Sequence, residues 1–119
     1  MSKYEELEER TYKFAKDVRS FVKILPKQVQ YYDDARQLLR SSGSVAANYI
    51  EANESPAGSK EFLYRIRIAK KEAKESRLWL RLIDFDDAEL AAEQDRLIQE
   101  SIELMKIMAA IIRNSTTSI

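Results

Sequence analysis

The sequence predicts an all-α protein that folds as one antiparallel four-helix bundle. Apolar residues recur at alternating steps of three and four along four stretches, which is the spacing of packed helices. The 119 residues include only two glycines and two prolines, whereas turn-rich β folds need more of both. The links between the stretches are short, which predicts an up-down-up-down order. Residues 1–119 are expected to form a single domain with its own core.

The first helix is predicted from about Tyr4 to Leu25. Acidic residues crowd its first turns, where the helix dipole favours anions, and Pro26 ends it because the residue before a proline avoids the α region. Its predicted core positions are Tyr4, Leu7, Thr11, Phe14, Val18, Phe21 and Leu25.

The second helix is predicted over residues 33–53, with Asp33 or Asp34 as its N-cap. Its core positions are Ala35, Leu38, Ser42, Val45, Tyr49 and Ala52. The middle of this helix consists of unusually small residues, and Gly43 in a helix interior costs about 1 kcal/mol relative to alanine. One interpretation is close approach of a neighbouring backbone, at Ser42, Gly43, Ala46, Ala47 and Asn48. The alternative for Gly43 is a tolerated weak position. Asn48, beside the core positions, either bonds a neighbouring helix or faces water.

The third helix is predicted over residues 59–83, after the turn-forming Pro56 and Gly58 and with Ser59 as its cap. Its core positions are Phe62, Ile66, Ala69, Ala73, Ser76, Leu80 and Ile83. A second apolar set lies off that seam and consists of Leu63, Leu78, Trp79 and Leu82. A helix with apolar residues on more than one stripe meets more than one neighbour, so this set indicates either a wide intrachain core or a subunit interface.

The fourth helix is predicted over residues 87–113, with Asp86 and Glu89 at capping-box spacing and a frayed tail over residues 114–119. Its core positions are Leu90, Gln94, Leu97, Ser101, Leu104, Met108 and Ile111, and a second stripe consists of Ile98, Ile102, Met105 and Ile112. The aspartates that precede it, Asp84, Asp86 and Asp87, are explained more simply as helix caps than as a cation site.

The composition argues against catalysis. The chain has no histidine and no cysteine, so the commonest general base and the commonest metal ligands are absent. The predicted core positions contain no carboxylate, which argues against a di-iron bundle site. We therefore expect no enzyme activity, no cofactor and no metal. No apolar run approaches the roughly 20 residues of a membrane span. The acidic start lacks the apolar region of a signal peptide, so we expect a cytoplasmic protein.

Charge is segregated along the chain although the net charge is zero. Eight bases and three acids lie between Lys60 and Arg81, whereas eight acids and one base lie between Asp84 and Glu103. Five of the bases recur at three-four spacing and share one helix face, namely Arg67, Lys70, Lys74, Arg77 and Arg81. Three interpretations remain open: a solvated face with local salt bridges to Glu72, Glu75 and the last helix, a charged subunit interface, and a surface for nucleic-acid phosphates.

The runs QLLRSSGSVAANYIEA and SKEFLYRIRIAKKEAKESRLWLRLI resemble the bacterial family of proteins encoded in intervening sequences of large-subunit ribosomal RNA genes. The most specific parts are SVAAN at residues 44–48 and SKEF at residues 59–62. The resemblance implies a four-helix bundle that assembles as a homopentamer, with no established molecular activity. A related branch, the accessory protein of diversity-generating retroelements, is pentameric and basic, and it binds nucleic acid and a reverse transcriptase. This chain is electrically neutral instead.

Together these observations predict a non-enzymatic bundle whose partner is itself. The alternative is an RNA- or DNA-binding accessory protein that uses the basic face of the third helix.

Overall fold

The computed structural model describes residues 2–117, with side chains to residue 115. Four helices make up this part of the chain: α1 (Lys3–Ile24), α2 (Val29–Ala52), α3 (Lys60–Leu82) and α4 (Ala88–Thr117). Each helix packs closely against its two neighbours in the order α1, α2, α3, α4 and back to α1, and the backbones of the diagonal pairs do not approach closely. The contact between α2 and α3 is the most extensive and that between α1 and α4 the least. The predicted all-α four-helix bundle is confirmed.

Side-chain caps fix the beginnings of three helices. The Ser2 hydroxyl accepts from the Glu5 amide, and the Ser59 hydroxyl accepts from the Phe62 amide at 3.2 Å, as predicted for α3. The residue that caps α4 is Asp87, whose Oδ1 accepts from the Leu90 amide at 3.0 Å, so the prediction of Asp86 is wrong by one residue. Each cap satisfies an amide that has no partner inside its helix.

Two predicted helix ends are also wrong. Helix α2 begins at Val29, so Asp33 and Asp34 lie inside it, and its cap residue Gln28 makes no side-chain cap bond. Helix α4 continues to Thr117 and so passes the predicted end at Arg113, and residues 118 and 119 of the predicted tail lie outside the described part. The polar residues after Arg113 include no glycine or proline, and the helix therefore continues through them.

The predicted core positions of α2 and α3 are all buried. They join α1 and α4 in two apolar clusters, one around Phe14, Leu38 and Leu97, the other around Tyr49, Ile66 and Met108. On α1, Tyr4 is more than half exposed and Leu7 is only partly buried, whereas the other predicted core positions are buried. Gln94 of α4 acts as a polar partner for the end of α3, because its Nε2 donates to the carbonyls of Leu80 and Ile83 at 2.6 Å each.

Candidate functional site

Small hydroxyl residues bring α2 and α3 close together. The Ser41 and Ser76 hydroxyls lie 2.8 Å apart in a hydrogen bond, and neither residue is accessible to solvent. Each hydroxyl also lies within bonding distance of a carbonyl on its own helix, that of Leu38 for Ser41 and that of Glu72 for Ser76. A buried polar pair of this kind is tolerated only when its hydrogen bonds are made, so it fixes how the two helices pack.

The close neighbour of Gly43 is a side chain and not a backbone, which corrects the sequence prediction. A Cβ built at Gly43 would lie 3.1 Å from Nη2 of Arg19 on α1. That guanidinium donates to the carbonyls of Ala15 and Leu39 and to the Ser42 hydroxyl. Gly43 therefore makes room for an arginine that ties α1 to α2.

The other residues of the predicted close-packing set divide between different surroundings. Ser42 is buried, Ala46 is half-buried, and Ala47 is exposed and takes no part in close packing. Asn48 faces α3: its Nδ2 donates to the Ser44 carbonyl and hydroxyl, and its Oδ1 accepts from Arg65 Nη1 at 3.3 Å. Asn48 thus bonds a neighbouring helix, which was one of its two predicted alternatives.

The second apolar set of α3 is divided between the core and the surface. Leu63 is buried in the second core cluster, and Trp79 is half-buried against the first. Leu78 and Leu82 lie one turn apart and are 45% and 51% exposed. The intrachain core therefore accounts for Leu63 and Trp79, and only the two exposed leucines stay available to another subunit.

The exposed leucines lie among the predicted bases. Arg67, Lys70, Lys74 and Arg81 are exposed, whereas Arg77 is half-buried and its Nε has no hydrogen-bond partner among the described residues. At 100° per residue, the exposed positions from Tyr64 to Leu82 fall within an arc of about 120° that includes no acid, and Glu75 lies about 20° beyond its edge. We call this surface the α3 outer face, and its residues are Tyr64, Arg67, Lys70, Lys71, Lys74, Leu78, Arg81 and Leu82. The spacing argument did not assign Tyr64 and Lys71 to this face. A helical wheel of α3 centred on its buried residues places both there.

Several glutamates of α3 and α4 pair with arginines on other helices. Glu72 and Glu75 pair with Arg40 of α2, at 2.7 and 3.8 Å. Glu100 and Glu103 of α4 pair with Arg10 of α1 at 2.7 and 2.9 Å. Within the described residues no carboxylate lies within 4.0 Å of a base on the α3 outer face, so the predicted local salt bridges are wrong. Lys71 acts on the nearby Glu75 carboxylate through its charge, and the other bases of this face have no intrachain counter-ion within the described residues.

The ion pairs at the helix seams perturb the carboxylates that take part in them. Burial raises the pKa of Glu72, but hydrogen bonds that include one from Arg40 outweigh burial and leave it below its ordinary value. The pKa of Glu75 is raised by its burial and by the adjacent Glu72. Burial likewise raises the pKa of Asp17, and bonds from Lys13 and Arg96 outweigh it and lower the value. The fold therefore favours the ionised forms of Asp17 and Glu72 at these contacts and disfavours that of Glu75.

The described residues offer no arrangement for metal chemistry. No group of three or more acidic residues in this part of the chain is placed to hold a metal ion. Asp87 serves as the α4 cap, and Asp84 and Asp86 are exposed. Nor does any described helix carry an apolar stretch sufficient to span a bilayer. The α3 outer face remains as an exposed basic surface that carries two exposed leucines.

Fold and surface together define a class, a small four-helix bundle with one basic, leucine-bearing face. The family model of 23S rRNA-intervening sequence proteins matches residues 5–110, so the chain belongs to that family. It is similar to a solved protein of unknown function from the S23 ribosomal protein family of Bacteroides thetaiotaomicron VPI-5482. The two are 27% identical, the match covers 94% of this chain and 99% of the other, and the TM-score is 0.79. No curated protein is significantly similar to the chain.

Proposed function

We propose that the protein is a cytoplasmic, non-enzymatic bundle that assembles with copies of itself, and that the α3 outer face is one of its contact surfaces. The observation that carries this proposal is the position of Leu78 and Leu82, about half exposed and one turn apart, within a row of bases that have no intrachain counter-ion. Burying such side chains against a partner removes apolar surface from water.

The composition of the α3 outer face supports a protein contact. Protein interfaces have apolar centres, are enriched in arginine and aromatic residues, and carry a polar rim. Here Leu78 and Leu82 supply the apolar part, Arg67 and Arg81 the guanidinium groups, and Tyr64 the aromatic ring. The lysines of this face would lie at the rim, where they set orientation and association rate.

The charge balance supports a partner that is another copy. Acids and bases are equal in number in the chain, at 20 each. While the bases of the α3 outer face have no intrachain partner, exposed acids such as Asp86, Glu89 and Asp95 also make no ion pair within the described residues. One copy therefore offers the charges that a second copy needs.

The proposal of a non-enzymatic role rests on the absence of histidine and cysteine from the sequence and on where the perturbed groups lie. The shifted acidic residues Asp17, Glu72, Glu75 and Glu103 all contact charged or amide partners between helices or along one helix. Groups tuned for catalysis meet in a cleft. Of these four, Asp17 and Glu103 line one depression, and each is paired there with an arginine.

Sedimentation equilibrium at micromolar concentration tests the proposal. We expect an assembly of about five subunits, the number that the family resemblance implies for a closed ring. Lys70→Glu/Lys74→Glu should weaken it, because the reversal places acids where the partner's acids are expected. The matched control is Lys16→Glu/Lys23→Glu, which reverses two exposed lysines of α1 and should leave assembly unchanged. A wild-type monomer throughout the concentration series would overturn the proposal.

Nucleic-acid binding by the same face is the second candidate, and the unpaired exposed bases favour it. Phosphate contacts release counter-ions, so retention of mixed RNA should fall steeply as salt rises. In that case Lys70→Glu/Lys74→Glu abolishes retention and leaves assembly intact. The α3 outer face has one aromatic residue, Tyr64, and so lacks the repeated rings of a single-strand stacking surface. If neither assembly nor retention changes, the face is only solvated.

A further inference from the structure

We propose that the α3 outer face of one copy docks into an acidic depression between α1 and α4 of the next copy. This inference rests on the proposed self-assembly and names the surface that receives the α3 outer face. The depression has a volume of about 560 Å³, within the range of about 300–1,000 Å³ that is usual for binding clefts. It is lined by Ser20, Phe21 and Ile24 of α1 and by Asp87, Glu89, Leu90 and Glu93 at the start of α4.

The depression combines an apolar surface with negative charge. Phe21 and Leu90 are buried and form its inner part, while Ile24 at its edge is 61% exposed. Three of its seven lining residues are acids and none is a base. Glu93 is engaged by Arg96, and Asp87 caps α4 through one oxygen, but Glu89 is exposed and makes no ion pair within the described residues. An apolar, cationic partner fits this chemistry.

The α3 outer face has the complementary composition. Near its C-terminal end, Leu78 and Leu82 are flanked by Lys74 and Arg81, which are exposed and have no intrachain counter-ion. The leucines match the apolar part of the depression, and the two bases match its acids. Complementary charge of this kind fixes the register of an interface and speeds association.

Geometry requires that the two surfaces meet between copies. Helices α1 and α3 are diagonal in the bundle, and the α3 outer face points away from the core that they share. The depression lies at the α1–α4 seam, so the face cannot reach it within one chain. A contact between two different surfaces of identical copies is heterologous, and repetition of it yields a closed ring or an open filament.

Single charge reversals on each side test this contact by sedimentation equilibrium, with circular dichroism to verify folding. Glu89→Lys alters the depression and Arg81→Glu alters the α3 outer face, and each should raise the dissociation constant at least about tenfold. Asp95→Lys is the matched control, because Asp95 is an exposed acid of α4 outside the depression. It should leave the dissociation constant within about twofold of the wild type.

Combining the two reversals in one chain gives the decisive result. In Arg81→Glu/Glu89→Lys the acidic α3 outer face of every copy meets the basic depression of the next copy, which also holds in a ring with an odd number of subunits. The double variant should therefore assemble more tightly than either single variant. If Glu89→Lys alone assembles like the wild type, the depression is not the receiving surface and the inference is wrong, although self-assembly stands. If the wild type is a monomer, the proposed function itself fails.

Discussion

Arginines at the helix seams and bases on the α3 outer face carry the same charge in opposite surroundings. Arg10 donates from Nε and Nη2 to both oxygens of Glu100 and also to Glu103. Arg96 joins Glu93 to Asp17 across the α1–α4 seam. Arg40 pairs with Glu72 and Glu75. On the α3 outer face no base has a carboxylate partner within the described residues.

The difference does not come from a shortage of acids, because the chain carries 20 of each charge. Opposite Arg10, Arg40 and Arg96, acids lie on the neighbouring helix. Where bases lie on the α3 outer face, the free acids are placed on other surfaces, among them Glu89 and Asp95. The contrast separates charges that hold the bundle together from charges that are available to a partner.

The largest expected effect comes from removing a seam arginine whose partner is buried. Arg40→Met leaves the Glu72 carboxylate, at 4% residue exposure, without its cation. Because an unsatisfied buried group retains its desolvation cost, we expect the unfolding free energy to fall by about 1–3 kcal/mol. Urea unfolding at neutral pH, at a protein concentration below that at which the chain assembles, measures this change in unfolding free energy.

The control for that experiment is Arg36→Met on the same helix. Arg36 pairs with Asp33, and both side chains are highly exposed. Exposed pairs contribute little, so we expect a change within about 0.5 kcal/mol. Equal losses for Arg36→Met and Arg40→Met would contradict the distinction between seam and surface charges.

Substitutions at Gly43 test the position of Arg19, a seam arginine that has no carboxylate partner. Gly43→Leu should displace the Arg19 guanidinium, which lies 3.1 Å from a Cβ at this position, and lower the unfolding free energy by about 1–3 kcal/mol. In an Arg19→Met background, Gly43→Ala should instead stabilise by up to about 1 kcal/mol, because alanine is the better helix former. A double-mutant cycle by urea unfolding measures the coupling. If Gly43→Leu is stabilising in both backgrounds, the arginine is not held there.

The two carboxylates beside Arg40 should respond to pH in opposite directions. The pKa of Glu72 is lowered in the folded state, so its contribution is present above the ordinary value of 4.5 and is lost as the pH falls through the folded pKa. The pKa of Glu75 is raised, so stability is lost as the pH rises through its folded value. At neutral pH, Glu72→Gln should lower the urea midpoint and Glu75→Gln should raise it. Shifts of the same sign would contradict this arrangement.

The smallest expected effect concerns the α3 outer face. Lys70→Gln and Lys74→Gln remove charges that have no intrachain counter-ion, so each should change the unfolding free energy of the monomer by less than about 0.5 kcal/mol. Urea unfolding below the concentration of assembly measures this. A loss comparable with that of Arg40→Met would mean that these lysines serve the fold.

The apolar spacing was sufficient to predict the four helices and the buried positions of α2 and α3, since the 3.6-residue period determines which side chains face the core. It did not reveal that α2 begins at Val29, because Asp33 and Asp34 are residue types that suit an N-cap although they lie inside the helix. Nor did it reveal the Arg19 site beside Gly43, since long side chains from another helix leave no periodic signal.

The spacing predicted the row of bases on α3, but it did not predict that these bases form no salt bridge within the described residues. Which acid meets which base depends on how the helices are arranged in space. Arg40 of α2 takes Glu72 and Glu75 of α3, although Lys71 and Lys74 lie closer to them along the chain. The acidic depression was missed for the same reason, because residues 20–24 and 87–93 meet only in the folded bundle.

The measurement that tests the central claim most directly is sedimentation equilibrium of Leu78→Ser/Leu82→Ser beside the wild type. The control is Ile50→Ser, which removes an exposed apolar side chain from α2 at 42% exposure. We predict that the wild type and the control form assemblies of about five subunits, whereas the double variant stays folded and becomes monomeric at the same concentration. An assembly of unchanged size and affinity in the double variant would contradict the assignment of the α3 outer face as a contact surface.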